Sequence, residues 1–224
     1  MNSIYRQALG GDFDRLHPKI QARFGFESAD RRASIGRGVM ARVWHGRWWT
    51  LPFLLFGTWR HIMFPESGEN VPFTIRNYAY VDGFGRETVT WVRQFDLGGR
   101  RRFDAYMILA ESGLILDYMG THQHLAVDLH LSVNERGGLC LRSGEQRFYE
   151  GRIAFRFPLL FSAIANVCEW FDDESGQYGI EVVVANPVFG PIFGYRGAFD
   201  VEWLEGEAAT VPPDVLPRRE ERRE

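Results

Sequence analysis

Apolar and polar residues alternate along most of the chain after Gly36, a pattern typical of half-buried β-strands. Turn-forming pairs such as Asp82-Gly83 and Gly137-Gly138 separate the alternating runs. Strands are predicted at 37–46, 71–81, 86–96, 101–110, 113–119, 123–133, 138–142, 146–156, 164–171, 178–185 and 194–204. Because no long helices alternate with them, the predicted fold class is mainly β (α+β), an antiparallel meander curled into a barrel or a strongly bent sheet.

Helical patterns occur near the N-terminus and in one aromatic-rich stretch. Ser3 is a suitable N-cap for a short helix, and Pro18 is a suitable first residue for a second one. A third helix is predicted at about 48–64, where it covers an open end of the barrel. The alternatives for this segment are a mobile lid or a helix lying in a membrane interface.

The predicted domain covers residues 1–205, and its last strand ends near the start of a segment of different composition. Residues 206–224 contain three prolines and a charged end, so they can bury little apolar surface. We therefore expect a flexible charged tail there.

Composition narrows the classes of function. The formal charge of −3 provides no basic footprint, so no nucleic-acid partner is expected. No apolar run reaches the length of about 18 residues that a spanning helix needs, so no stable membrane insertion is expected. Cys140 and Cys168 have no paired spacing and are interpreted as reduced structural thiols, although a disulfide between them stays open. With no signal-peptide pattern at the start, the predicted location is the cytoplasm.

Three separated segments resemble a known family. They are LGGDFDRLHPKIQARF (Leu9–Phe24), ENVPFTIRNYAYVDGFGRETVTWVRQF (Glu69–Phe95) and FGYRGAFDVEW (Phe193–Trp203). Together they resemble the bacterial domain of unknown function 4166 family, which carries no established activity. Some of its members follow a saccharopine-dehydrogenase-like reductase domain, and this association implies a role near small-molecule metabolism. The present chain resembles the standalone form and lacks the G-x-G-x-x-G signature, so no dinucleotide or other cofactor is predicted.

The histidine-rich stretch THQHLAVDLHL is the first candidate for chemistry. On a strand, His122 and His124 share one face and lie close enough for both rings to reach one metal ion. A third ligand has to come from a neighbouring strand, such as Asp117 or Glu150. The simpler interpretation, a row of polar residues facing water, is favoured, and no metal is assigned.

A second candidate combines charged and aromatic side chains on the central strands. Glu87, Trp91 and Arg93 share a face, and a cross-strand ion pair at the barrel rim is the favoured interpretation of its charges. If the face points into a cavity instead, a buried Glu87–Arg93 pair is expected to anchor a carboxylate or to transfer protons. The predicted catalytic residues are Glu87, Arg93, His122 and His124. The predicted ligand-binding residues are Tyr78, Tyr80, Trp91, Tyr106, Tyr118 and Trp59.

Two functions are compatible with these features. One is a barrel that carries a hydrophobic or amphipathic small molecule, and the other is a cofactor-free isomerase or cyclase of the same shape. A protein-interaction domain without a ligand site is the alternative. The sequence leaves the ligand and the oligomeric state open.

Overall fold

Eleven antiparallel strands form the body of the protein in a computed structural model that describes residues 3–158 and 162–224. In most of them alternation leaves one face apolar, and that face lies on the inside. The strands are β1 (Arg32–His45), β2 (Gly68–Val81), β3 (Glu87–Asp96), β4 (Arg100–Leu109), β5 (Ile115–Met119), β6 (Leu125–Val133), β7 (Leu139–Glu150), β8 (Ile153–Arg156), β9 (Ile164–Asp172), β10 (Gln177–Asn186) and β11 (Gly190–Glu205).

Ten of the described strands close into a barrel, which confirms the predicted fold class. Most neighbours are consecutive in the chain, as in a meander. Pairing of β1 with β11 and of β6 with β7 completes the ring, while β8 continues the sheet beside the far half of β7. Closure leaves the ring without unpaired edges.

The bottom of the barrel is closed by the N-terminal helices α1 (Ile4–Leu9) and α2 (Pro18–Phe24), with a short 3₁₀ segment between them. As predicted, Ser3 caps α1 by accepting a hydrogen bond from Arg6 N, and Pro18 occupies the first turn of α2. Phe13, Ile20 and other apolar residues of this region are fully buried. This end of the barrel is therefore filled by side chains.

The opposite end, which we call the mouth, carries helix α3 (Leu51–Arg60). The predicted helix at 48–64 is shorter in the structure, because a 3₁₀ turn precedes it and His61 ends it with a left-handed backbone, φ 56°. Leu54 and Gly57 of this helix are buried. No helix among the described residues is long and apolar enough to cross a bilayer.

The predicted turn at Ser143-Gly144 is absent, so the strands expected at 138–142 and in the first part of 146–156 are one strand, β7. The pairing with β6 shifts between Val127 and Leu129, which absorbs the extra residue as a bulge. The chain turns only after Glu150, where β8 begins.

Residues 206–224 run along the outside of the barrel. Val215 is fully buried beside Tyr78. Further along, Gln123 Oε1 accepts a hydrogen bond from Glu221 N at 2.6 Å, and the Tyr118 hydroxyl donates to Arg223 O at 2.9 Å. These contacts give the segment a defined position against the outer strand faces. The flexibility expected from its composition stays a prediction.

The two cysteines form a disulfide, which corrects the interpretation as reduced thiols. Cys140 of β7 and Cys168 of β9 are directly opposite each other in the sheet, with Cα atoms 4.2 Å apart. Their separation of 28 residues gave no indication of this pairing, which depends on barrel closure.

Aromatic rings fill only part of the interior. Phe73, Phe95 and Tyr195 are in contact, with both Phe73–Phe95 and Phe95–Tyr195 ring centroids 5.0 Å apart. Phe64 extends this cluster to Phe193, again at 5.0 Å. The rings pack beside β1, β2 and β11, which leaves space on the side of β4–β10.

Candidate functional site

A cavity of about 890 Å³ occupies the space between the aromatic cluster and the facing strands. Its wall is mostly apolar and includes Met107, Val127, Leu141 and Val182. At the mouth it extends beneath α3, where Phe56 contributes to its lining. Cavities of this size are typical of small-molecule sites.

Arg93 is the buried cation of this cavity. It is 3% exposed, and it lies on the inward face of β3 two residues beyond Trp91. Its Nε donates a hydrogen bond to Phe103 O at 3.2 Å, and its Nη1 donates to the Tyr195 hydroxyl at 3.2 Å. The guanidinium also lies 3.8 Å from the centre of the Phe103 ring. Its Nη2 has no hydrogen-bond partner among the described residues, so the group retains capacity for an acceptor.

Asp117 is the buried carboxyl of the same wall. It lies on β5 opposite Met107 and Val127, and it is 7% exposed. Its Oδ1 accepts no hydrogen bond from any described residue. Burial raises the pKa of Asp117 to about 7, although the charge of Arg93 and a backbone hydrogen bond from Tyr106 oppose the rise. At neutral pH this group therefore exists in both protonation states.

Arg93 and Asp117 do not form an ion pair, although the Arg93 charge acts on the Asp117 pKa. Both line the cavity, so an oxygen-bearing group of a ligand has access to a donor on one side and a carboxyl on the other. Tyr5 closes the wall below them, since its hydroxyl accepts from Trp91 Nε1 at 2.9 Å and donates to Met107 Sδ at 3.2 Å.

Three other polar side chains of the lining, Ser143, Gln146 and Asn186, form hydrogen bonds within the protein. Ser143 Oγ accepts a hydrogen bond from Ala165 N at 2.8 Å, and Gln146 Nε2 donates to Ala163 O. Asn186 Nδ2 donates to Ser162 O at 2.7 Å. Arg60 Nε and Trp49 Nε1 of the lining also have no partner among the described residues, but both belong to the segment at the mouth. Arg93 and Asp117 are the buried arginine and the buried carboxyl of the wall that retain open hydrogen-bonding capacity.

His122 and His124 line the cavity near its mouth. They do not share a strand face as predicted, because Gln123 has φ 51° and β6 begins only at Leu125. Their rings are stacked with centroids 5.6 Å apart, and His124 Nδ1 lies 2.9 Å from Glu150 Oε2. Burial and the nearby Arg60 lower the pKa of His122.

In residues 3–158 and 162–224, no group of three or more His, Cys, Asp or Glu side chains is placed to hold a metal ion. His124 also contacts the C-terminal segment, with its Nδ1 2.8 Å from Arg219 Nη1. A cation at this position is unfavourable for a metal ion.

Several predicted site residues lie outside the cavity. Glu87 is at the bottom end of β3, where it accepts hydrogen bonds from Ser28 N and Ser28 Oγ, both at 2.6 Å, so the predicted Glu87–Arg93 pair is not formed. Trp59 is on the solvent face of α3, 69% exposed. The remaining four are on outward strand faces: Tyr78, Tyr80, Tyr106 and Tyr118. Of these, Tyr78 packs with Val215 of the C-terminal segment, and Tyr118 donates a hydrogen bond to Arg223 O.

The sequence indicates Asp117 only as a possible metal ligand and does not indicate that it lines the same cavity as Arg93. Its strand, ILDYM, is apolar on both faces, and alternation therefore does not indicate which face is inside. The available signal was a single carboxylate within an otherwise apolar strand, which indicates either a paired charge or a site.

Comparison with known proteins assigns the chain to a family. The profile described as Domain of unknown function (DUF4166) matches residues 16–199. The chain belongs to this family. The chain is also similar to the uncharacterized protein YndH of Bacillus subtilis (strain 168). The two are 31% identical over 207 residues, which cover 92% of this chain and 100% of YndH. The matched region includes Arg93 and Asp117, whereas residues 206–224 lie beyond it.

Proposed function

We propose that this DUF4166 protein binds a hydrophobic or amphipathic small molecule inside its barrel, with the polar end of the ligand at Arg93 and Asp117. One observation carries the proposal: a buried guanidinium and a buried carboxyl, both with open hydrogen-bonding capacity, lie on the wall of a large apolar cavity.

The apolar lining favours a ligand that is mostly hydrocarbon or aromatic. Transfer of apolar surface from water contributes about 25 cal/mol per Å² of buried area, so such a ligand gains affinity along the whole wall. The mouth beneath α3 provides the side of entry, since the bottom is filled by the N-terminal helices.

The charged pair favours a ligand that also carries an oxygen function. A buried charge without full hydrogen bonding is costly, and hydrophobic replacements of such groups are often neutral or stabilising. Arg93 and Asp117 are therefore better explained by recognition than by stability. An oxygen of the ligand accepts from Arg93, and a hydroxyl of the ligand donates to the ionised Asp117.

Binding is tested with dodecanol and dodecanoate as probes. We expect dodecanol to quench the fluorescence of Trp91, which lines the cavity, and to add its mass to the protein in native mass spectrometry. Arg93→Gln and Asp117→Asn should each weaken dodecanol binding by about tenfold, the value of one hydrogen bond to a charged group.

Tyr80→Phe is the matched control, since the Tyr80 hydroxyl is buried outside the cavity and has no hydrogen-bond partner among the described residues. Its dodecanol affinity should equal that of the wild type. The proposal fails if neither probe binds and the purified protein retains no small molecule. If both cavity variants bind dodecanol like the wild type, the polar end of the ligand does not lie at Arg93 and Asp117.

Cofactor-free acid–base catalysis is the second candidate, favoured by the Asp117 pKa of about 7. A carboxyl with this pKa accepts and returns a proton near neutral pH, and Arg93 beside it stabilises a developing oxyanion. The reaction class is proton transfer at a carbon next to a carbonyl group.

Turnover and binding separate these candidates. Asp117→Asn keeps the shape of the side chain but removes the proton acceptor. An enzyme should then bind a carbonyl substrate while deuterium exchange at its adjacent carbon, measured in heavy water, falls to the uncatalysed rate. A carrier shows no protein-dependent exchange even in the wild type.

A further inference from the structure

We infer that the surface around the mouth docks on anionic lipid bilayers. This surface, the mouth rim, consists of segments 47–60, 150–157 and 186–190. The three segments are far apart in sequence and all lie at the end of the barrel that α3 covers. The inference goes beyond ligand binding, since it concerns what the outside of the protein contacts.

Large apolar side chains are unusually exposed on the mouth rim. Trp48 is 75% exposed and Trp59 69% exposed. Other large apolar residues of the rim that are also exposed are Leu55, Phe56, Ile153, Phe155, Val188 and Phe189. Such a concentration of exposed apolar groups marks an interaction site.

The exposed side chains are continuous with the cavity lining. On α3, Phe56 both lines the cavity and contacts Trp59, with ring centroids 6.4 Å apart. On β8, Phe155 contacts Phe148 of the lining at 5.2 Å. The rim therefore forms an apolar surface that continues into the barrel.

The charge of the rim differs in sign from that of the whole chain. Its three segments contain four arginines and one acidic residue, Glu150, whereas the chain has a formal charge of −3. Arg156 forms an ion pair with Glu145 at 3.1 Å, which leaves Arg47, Arg60 and Arg152 as the other cations of the rim. Arg47 lies 4.2 Å from the Trp49 ring and Arg60 lies 4.1 Å from the Trp59 ring. Tryptophan and arginine in contact are well suited to the boundary between headgroups and hydrocarbon, and each arginine near an anionic surface adds about 1 kcal/mol.

These features favour a bilayer over a second protein. An anionic surface complements the arginines, and the headgroup boundary accepts tryptophan without requiring one matching shape. The described part of α3 is too short to span a bilayer, so docking is peripheral. Contact at the rim also brings the cavity opening to the hydrocarbon layer, where apolar molecules are concentrated.

Flotation with vesicles tests the inference on the full chain. One set of vesicles contains equal parts of phosphatidylglycerol and phosphatidylcholine, and the other contains phosphatidylcholine alone. We expect the wild type to float with the anionic vesicles, and to float less at high salt or with the neutral set.

Two multiple variants locate the contact. Trp48→Ser, Leu55→Ser and Trp59→Ser together remove exposed rim residues that do not line the cavity, and should lower vesicle affinity by about a hundredfold or more. Val81→Ser with Phe84→Ser is the matched control, because these exposed apolar residues lie by the β2–β3 turn at the opposite end. The control should float like the wild type.

Light scattering on the same samples distinguishes the other occupants of the rim. The inference is overturned if the wild type does not float with anionic vesicles, or if the triple variant floats equally well. It is also overturned if the wild type is a dimer without vesicle affinity and the triple variant is a monomer, since the rim then joins two copies. Unchanged melting temperatures of both multiple variants ensure that the comparison concerns folded protein.

Discussion

Two regions of the barrel interior contain buried opposite charges, and they differ in how completely those charges are satisfied. Near the bottom, Arg23 of α2 forms a direct ion pair with Glu169 of β9, and its Nη1 donates to Ser34 Oγ at 3.0 Å. On the cavity wall, Arg93 and Asp117 line the same space without an ion pair, and Asp117 Oδ1 accepts no hydrogen bond from a described residue.

The difference indicates different roles. The Arg23–Glu169 pair lies in a part of the interior filled by aromatic rings, including Phe24 and Tyr178, so no ligand has room to reach it. Arg93 and Asp117 face open space instead. A closed pair joins the N-terminal helices to the barrel, whereas an open pair leaves binding capacity for a partner molecule.

Breaking the closed pair should have the largest effect. Arg23→Met leaves Glu169 buried and uncompensated, so we expect the free energy of unfolding to fall by about 3–5 kcal/mol in a denaturant titration. The double variant Arg23→Met with Glu169→Leu removes both charges and should recover most of that loss. A single variant as stable as the wild type would show that the pair is not held in the folded core.

Removing the Asp117 carboxyl should raise the free energy of unfolding, whereas breaking the Arg23–Glu169 pair lowers it. The unfolded chain releases the Asp117 proton near its ordinary pKa of 3.8, while the folded protein keeps it to about 7. Because the folded state binds more protons between these values, this group makes stability decrease as pH rises through that window, and the full cost is present above pH 7.

Asp117→Asn should therefore match the wild type near pH 4 and become more stable than it by on the order of 4 kcal/mol above pH 7. Unfolding titrations across this range measure the difference. A difference that stays constant with pH would contradict the raised pKa.

The smallest effect is expected from the hydroxyl that supports Arg93. Tyr195→Phe removes one acceptor of the Arg93 guanidinium and should cost about 1–2 kcal/mol of stability, with a weaker response to dodecanol. Tyr80→Phe, whose hydroxyl has no partner among the described residues, should change stability by less than about 0.5 kcal/mol. Equal effects of the two substitutions would mean that the Tyr195 contact contributes nothing.

Parts of the candidate site could be predicted from the sequence. Alternation on β3 predicted that Trp91 and Arg93 share a face, and both line the cavity. Tyr106 and Tyr118 do not line the cavity as predicted, because both are buried in an apolar cluster on an outward face of the sheet. Alternation also failed at His122 and His124, where a turn interrupts the strand period.

The sequence by itself determined the strands, their meander and the shared face of Trp91 and Arg93, because these depend on local alternation and on turn residues. Tertiary structure alone decided three other features. Closure of β6 on β7 brought Asp117 to the cavity that Arg93 lines, β7–β9 pairing joined Cys140 to Cys168, and the barrel surface gave residues 206–224 their position. Each depends on contacts between residues far apart in the chain, about which a local period of two carries no information.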